Sequence, residues 1–161
     1  MVRCPRRLVK WVAPAVLTAL GTASGCAAPG VTKLTAFVTR DNRVVLDKHS
    51  LPAGEAIITI ENDDGDRHVV VLARLTQQGL PATGLPTTDD RVPTGRSATQ
   101  HFDGHGYQVV AKSAVLSAYF NGPNRVKTLF HLHLDPGHYV LFGNQPGDYR
   151  TGLLGELEVH A

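Results

Sequence analysis

The stretch LDPGHYVLFGNQPGDYRTGLLGELEV, residues 134–159, carries the clearest strand pattern of this chain. Asp135-Pro136-Gly137 is a tight-turn signal, and the apolar run 138–143 after it predicts a strand that returns along its predecessor. The closing segment 154–160 alternates with period two. It places Leu157 and Val159 on one face and Glu156, Glu158 and His160 on the other. This end of the chain is therefore predicted to be an antiparallel hairpin followed by a half-buried strand.

The same alternation extends upstream. In KTLFHLHL, residues 127–134, one face carries Phe130, Leu132 and Leu134, while the other carries Leu129, His131 and His133. Turn residues every eight to twelve positions separate further strands, predicted at 33–39, 43–47, 55–61, 67–73 and 107–111, with the type of 115–120 left open. Seven to eight short strands with one-sided alternation predict an all-β sandwich rich in antiparallel pairs. The long segment 75–106 is predicted to be a loop that is either functional or mobile.

The first 25 residues have the layout of an export signal. Four basic side chains precede an apolar run that is short for a bilayer span, and the small residues 23–25 then lead to Cys26. This pattern resembles a bacterial lipobox, in which the cysteine becomes a lipidated N-terminus, although Ala23 stands where leucine is usual. The sequence thus predicts a signal peptide at 1–25, a linker at 26–32 and one domain at 33–161. A protein secreted without a lipid is the alternative, and Arg6-Arg7 leaves the export route open between the Sec and twin-arginine systems.

Removing that signal reverses the charge of the chain. The sequence has 16 basic and 14 acidic residues, and the four basic residues of the signal leave twelve against fourteen, a net charge of −2. With no basic cluster in the domain, nucleic acid is not an expected partner. Cys4 and Cys26 are the only cysteines and Met1 the only methionine, which excludes thiolate chemistry and a disulfide framework from the domain.

Two segments in order resemble the cupredoxins, the plastocyanin- and azurin-like copper proteins. In residues 51–73, a Pro-x-Gly opens a strand that ends in Asn62, and His68 follows six residues later. Residues 134–159 resemble the closing hairpin and copper-ligand loop of the family. The matching scaffold positions are Asn144, Pro146, Gly147, Tyr149 and Gly152, while Gly143, Asp148 and Leu153 stand where the family has Cys, His and Met. The resemblance implies a cupredoxin-like Greek-key β-sandwich.

These departures remove the ligands of a type-1 copper centre, which needs two imidazoles and a thiolate with a weak axial ligand. Of the four ligand positions only His68 is kept. The chain is therefore interpreted as a non-enzymatic binding or interaction module, exported and lipid-anchored at the outer face of the cytoplasmic membrane. Its partner, a protein or a small ligand, is left unidentified. The expected contact surfaces are the former ligand loop with His68, and the 75–106 loop.

The alternative function is copper handling without a thiolate. Here Cu(II) would be held by His68, Asp148 and a histidine of the long loop, His101 or His105. A hydrogen bond between His68 and Asp148 without metal is the simpler interpretation, and electron transfer is the least expected. His131 and His133 are predicted to be solvated, and His49 and His138 to lie at the opposite end of the sandwich. The acidic runs 63–66 and 89–90 are predicted to be solvated turns, because they lack calcium-loop spacing.

Overall fold

The structure, a computed structural model, describes residues 30–77, 81–94, 106–117 and 126–161. The predicted signal peptide, Cys26 and most of the linker lie outside these ranges, as do His101 and His105. Within the described residues, no helix is long and apolar enough to cross a membrane.

Nine strands form two sheets, and one 3₁₀ turn at Ala82–Gly84 is the sole helical element of the described residues. In chain order the strands are β1 (Thr32–Thr39), β2 (Arg43–Leu46), β3 (Ser50–Pro52), β4 (Gly54–Asn62), β5 (Val70–Leu75), β6 (Tyr107–Lys112), β7 (Val126–Leu134), β8 (Gly137–Gly143) and β9 (Leu154–His160). One sheet has the order β2-β1-β4-β7 and the other β3-β9-β8-β5-β6. Pairing is antiparallel except between β1 and β4 and between β3 and β9.

The all-β sandwich is confirmed, with corrections in three places. The structure has nine strands where seven to eight were predicted, and the unpredicted strand is β3, whose three residues are too few to show an alternation in the sequence. The strand predicted at 67–73 begins only at Val70, because His68 forms an isolated bridge with Leu116 instead of entering the ladder. Segment 115–120 contributes that bridge at Leu116 and no named strand, and its residues 118–120 lie outside the described ranges.

The core lies between the sheets, where the alternating apolar positions predicted from the sequence meet. Leu34, Ile58, Leu72, Leu141 and Leu157 are among its fully buried members. Burying a side chain of this size contributes about 1.5–3 kcal/mol, so these contacts dominate the stability of the sandwich.

A second apolar cluster covers the outer face of the five-stranded sheet. Strand residues such as Val71, Val140 and Phe142 pack there against Leu85 and Val92 of segment 81–94. The five-stranded sheet is therefore buried on both faces along β5 and β8, which explains why these two strands are near-continuous apolar runs in the sequence. The described part of the long loop is thus a packed layer of the domain.

The topology brings two turns to one end of the sandwich. β4 ends at Asn62 and β5 begins at Val70, while β8 ends at Gly143 and β9 begins at Leu154. Val70 pairs with Gly143 across the β5–β8 ladder. Turn 63–69 and loop 144–153 consequently lie side by side, and their side chains form the candidate site.

Candidate functional site

Loop 144–153 folds back on itself through backbone hydrogen bonds. The Gly143 amide donates to the Leu153 carbonyl at 2.8 Å, and the Leu153 amide donates to the Asp148 carbonyl at 3.0 Å. Gly147 and Gly152 have φ values of 90° and 99°, a left-handed conformation that residues with a Cβ adopt only at a cost. The two glycines that match the family pattern therefore allow a compact loop that brings Asp148 to His68.

His68 lies within hydrogen-bonding distance of two carboxylates, one at each ring nitrogen. Its Nδ1 lies 3.1 Å from Asp148 Oδ2 and its Nε2 lies 3.0 Å from Asp64 Oδ2. A carboxylate can only accept, so both ring nitrogens must donate when both acids are ionised, and the ring is then an imidazolium. The His68 side chain is only 4% exposed. The expected contact between His68 and Asp148 is present, and Asp64 is a partner that the sequence interpretation missed.

Burial and hydrogen bonding pull the pKa of His68 in opposite directions. Burial lowers the pKa and is the largest single influence. The hydrogen bonds from Asp148 and Asp64, together with the negative charges of these carboxylates, outweigh it. The pKa of His68 is consequently raised above its ordinary value of 6.5, which favours the charged form of the ring between the two carboxylates.

Asp64 is held in place by the scaffold residue Asn62. The buried Asn62 accepts the Asp64 amide with its Oδ1 at 3.0 Å, and its Nδ2 donates to the carbonyls of Asp66 and Ser117. The prediction of a solvated turn at 63–66 is therefore wrong for Asp64, whose side chain is only 16% exposed. The four-residue spacing from Asp64 to His68 is the signal that could have suggested the pair, but only the fold of the turn brings them together.

The residues present do not fit a type-1 copper ion. A Cβ built on Gly143, where the family has its cysteine, overlaps Leu153 Cδ2 and comes within 2.8 Å of Asp148 Oδ2. The space for a side chain at 143 is thus filled by Leu153 and Asp148, the two residues that stand at ligand positions of the resembled family. Because the two carboxylates lie on opposite ring nitrogens of His68, they do not converge on one point. No group of three or more His, Cys, Asp or Glu in the described part of the chain is arranged to hold a metal.

Two other scaffold residues hold the long loop. Asn144 accepts the Val92 amide at 2.9 Å and donates to the Val92 carbonyl at 3.1 Å. The Tyr149 hydroxyl accepts the Leu85 amide at 2.8 Å and donates to the Ala82 carbonyl at 2.5 Å. Segment 81–94 is therefore attached to loop 144–153 by buried hydrogen bonds, and the two expected contact surfaces form one continuous surface. Pro146 is exposed beside them.

The remaining candidate histidines lie away from this end. His49 and His138 line the same cavity near Glu156, at the far end of β8. His131 and His133 are exposed on β7, where both face Glu55 of β4 at 3.7 Å and 3.2 Å. None of these four contacts the His68 cluster.

Comparisons with known proteins identify the fold. No protein-family model matches the sequence, and a search of curated proteins finds no match. Among solved structures, the reduced auracyanin of the photosynthetic bacterium Roseiflexus castenholzii is 16% identical with a TM-score of 0.50, over 84% of this chain and 100% of that one. Rusticyanin from Thiobacillus ferrooxidans is 17% identical with a TM-score of 0.50, over 83% and 79%. Another rusticyanin structure, described as that of a copper protein, is 17% identical with a TM-score of 0.50, over 83% and 80%. The chain has the cupredoxin fold.

Proposed function

We propose that this protein is an exported, lipid-anchored binding module that uses the cupredoxin fold without a type-1 copper centre and without enzymatic activity. Its binding surface is the end of the sandwich that carries His68, loop 144–153 and segment 81–94. The anchor is Cys26, which places the domain at the outer face of the cytoplasmic membrane.

The observation that carries the proposal is the filled ligand space beside Gly143. Leu153 is fully buried there, and Asp148 is fixed by hydrogen bonds to His68 and to the Gln145 amide at 3.0 Å. Asn144 and Tyr149, which match scaffold positions of the ligand loop in the resembled family, here hold segment 81–94. A scaffold kept for this purpose supports binding in place of electron transfer.

Copper titration tests the metal part of the proposal. Cu(II) is added to the purified full chain and followed by electron paramagnetic resonance and calorimetry, with His68→Ala and the surface control His133→Ala in parallel. We expect no stoichiometric binding that depends on His68. Micromolar or tighter binding that is lost in His68→Ala and kept in His133→Ala would establish the alternative, a non-blue Cu(II) site at His68 and Asp148. An intense blue band would contradict both functions.

The anchor is tested separately by Cys26→Ser. We expect the substituted protein to appear in the soluble extracytoplasmic fraction, whereas the unmodified chain sediments with membranes and partitions into detergent. Cys4→Ser is the matched control, because Cys4 lies inside the predicted signal peptide and is expected to have no effect on partitioning. Retention of the Cys26→Ser protein in the membrane fraction would contradict lipidation at this residue.

A further inference from the structure

We propose that the cavity between segment 81–94 and loop 144–153 binds a small organic anion with an apolar body, such as an aromatic or short aliphatic carboxylate. This inference rests on the proposed function and names the class of ligand. The cavity has a volume of about 590 Å³, which is within the usual range for small-molecule sites.

The charge of the cavity favours an anion. Arg91 and Lys112 line it, and no acidic side chain of the described ranges does. The Lys112 ammonium donates to Thr94 Oγ1 at 3.1 Å, a neutral partner, and no carboxylate of the described residues forms an ion pair with it. The predicted domain has a net charge of −2, whereas the two charged side chains that line this cavity are both positive.

Arg91 is presented by a tight turn that is fixed on several sides. Thr88 and Arg91 exchange two backbone hydrogen bonds of 2.8 Å and 3.1 Å, and the residues between them, Asp89 and Asp90, have φ values of 51° and 58°. Two successive non-glycine residues in this conformation carry a cost that surrounding contacts must offset. The structure thus holds the backbone of Arg91 in place before any ligand arrives, which reduces the entropy lost on binding.

The turn is tied to the former ligand loop. The Gly147 amide donates to the Asp90 carbonyl at 3.0 Å, and Arg150 pairs with the Asp90 carboxylate at 2.6 Å. This ion pair offsets the charge of the acid nearest to Arg91 in the chain. The carboxylate of Asp90 is therefore paired with Arg150, while Arg91 lines the cavity.

Apolar and neutral polar side chains form the other walls of the cavity. The apolar residues are Val69, Val92, Pro93 and Val115, and Val115 is 51% exposed. The polar residues are Thr88, Thr94, Asn144 and Gln145, and the side-chain amide of Asn144 is already used by Val92. An anionic head at Arg91 and Lys112 with an apolar body against Val115 would satisfy both parts of the surface.

Three ligands of similar shape test this assignment: benzoate, benzyl alcohol and benzylamine. Each is titrated into the isotopically labelled full chain and followed by amide chemical shifts in nuclear magnetic resonance. We expect benzoate to saturate, with an affinity of about millimolar, and to shift the amides of Val92, Val115 and Gln145, while benzylamine leaves these signals in place. Raising the salt concentration should weaken the benzoate response.

The matched variants are Arg91→Gln and Lys112→Gln, with Arg43→Gln on β2 as a remote control. We expect each cavity substitution to weaken benzoate binding about tenfold and the control to leave it unchanged. Unchanged shifts elsewhere in the spectrum verify that the variants are folded. Absence of saturable shifts, an equal response to benzylamine, or equal affinity in the cavity variants would overturn the anion site. The result is independent of the copper titration, which separately decides the proposed function.

Discussion

Replacing Gly143 with alanine places a methyl group in a space that two side chains already fill. Gly143 lies at the end of β8 and is not among the glycines with positive φ, so alanine meets no backbone penalty there. The new Cβ would overlap Leu153 Cδ2 and approach both Asp148 Cβ and Asp148 Oδ2 to 2.8 Å. Leu153 is fully buried, and Asp148 Oδ2 accepts from His68, so neither side chain moves without losing contacts.

The expected cost follows from these contacts. Overpacking a filled site typically costs about 1–3 kcal/mol, and this site belongs at the upper end because two side chains are affected. Replacing glycine with alanine also lowers the conformational entropy of the unfolded chain, which offsets about 1 kcal/mol of this cost. We therefore expect a net loss of about 2 kcal/mol in the free energy of unfolding. In urea, with a slope of about 2 kcal/mol per M, the midpoint should fall by about 1 M.

Urea unfolding of the wild type, Gly143→Ala and the control Gly65→Ala measures this effect. A Cβ on Gly65 meets nothing within 4 Å, so that control should stay within about 0.5 kcal/mol of the wild type. In the double variant Gly143→Ala/Leu153→Ala, the smaller side chain at 153 makes room for the methyl group added at 143. The double variant should therefore lose about 1–2 kcal/mol less free energy of unfolding than the sum of the losses in the two single variants. Equal stability of Gly143→Ala and Gly65→Ala would refute the filled ligand space.

Two further predictions concern the hydrogen bonds of the site. Because the pKa of His68 is raised in the folded state, its ion pairs contribute stability that is complete below the unfolded pKa of about 6.5 and is lost as pH rises through the folded pKa. Urea unfolding across pH should show this decline in the wild type and not in His68→Gln, and parallel profiles would contradict it. Tyr149→Phe leaves the Leu85 amide and the Ala82 carbonyl without their buried partner, at a cost of about 1–3 kcal/mol. Hydrogen exchange at Leu85 should accelerate, and unchanged exchange there would show that the hydroxyl does not hold segment 81–94.

Much of the sandwich could be predicted because strand alternation is a local property. The faces of β7 and β9 were correctly assigned, since side chains in a strand alternate whatever the strand pairs with. β3 was missed because three residues carry no period, and its pairing with β9 depends on Leu51 contacting Val159 more than one hundred positions away. The start of β5 was placed too early because the bridge from His68 to Leu116 has no signature in either segment.

The candidate site divides in the same way. The sequence shows that Gly143, Asp148 and Leu153 stand at the positions where the resembled family has copper ligands, and that no thiol or thioether lies beyond Cys26. Those are statements about which atoms exist.

Which of these atoms come into contact depends on the tertiary structure. It placed Asp64 on the second nitrogen of His68, filled the space at Gly143, and joined Tyr149 to segment 81–94 across more than sixty residues. Such contacts depend on the docking of two sheets and a loop, where a side chain's partner is set by the path of the backbone and not by neighbours in sequence. The physical reason is that periodicity reports which face of a strand is buried, whereas hydrogen bonds and ion pairs depend on distances of about 3 Å between distant segments.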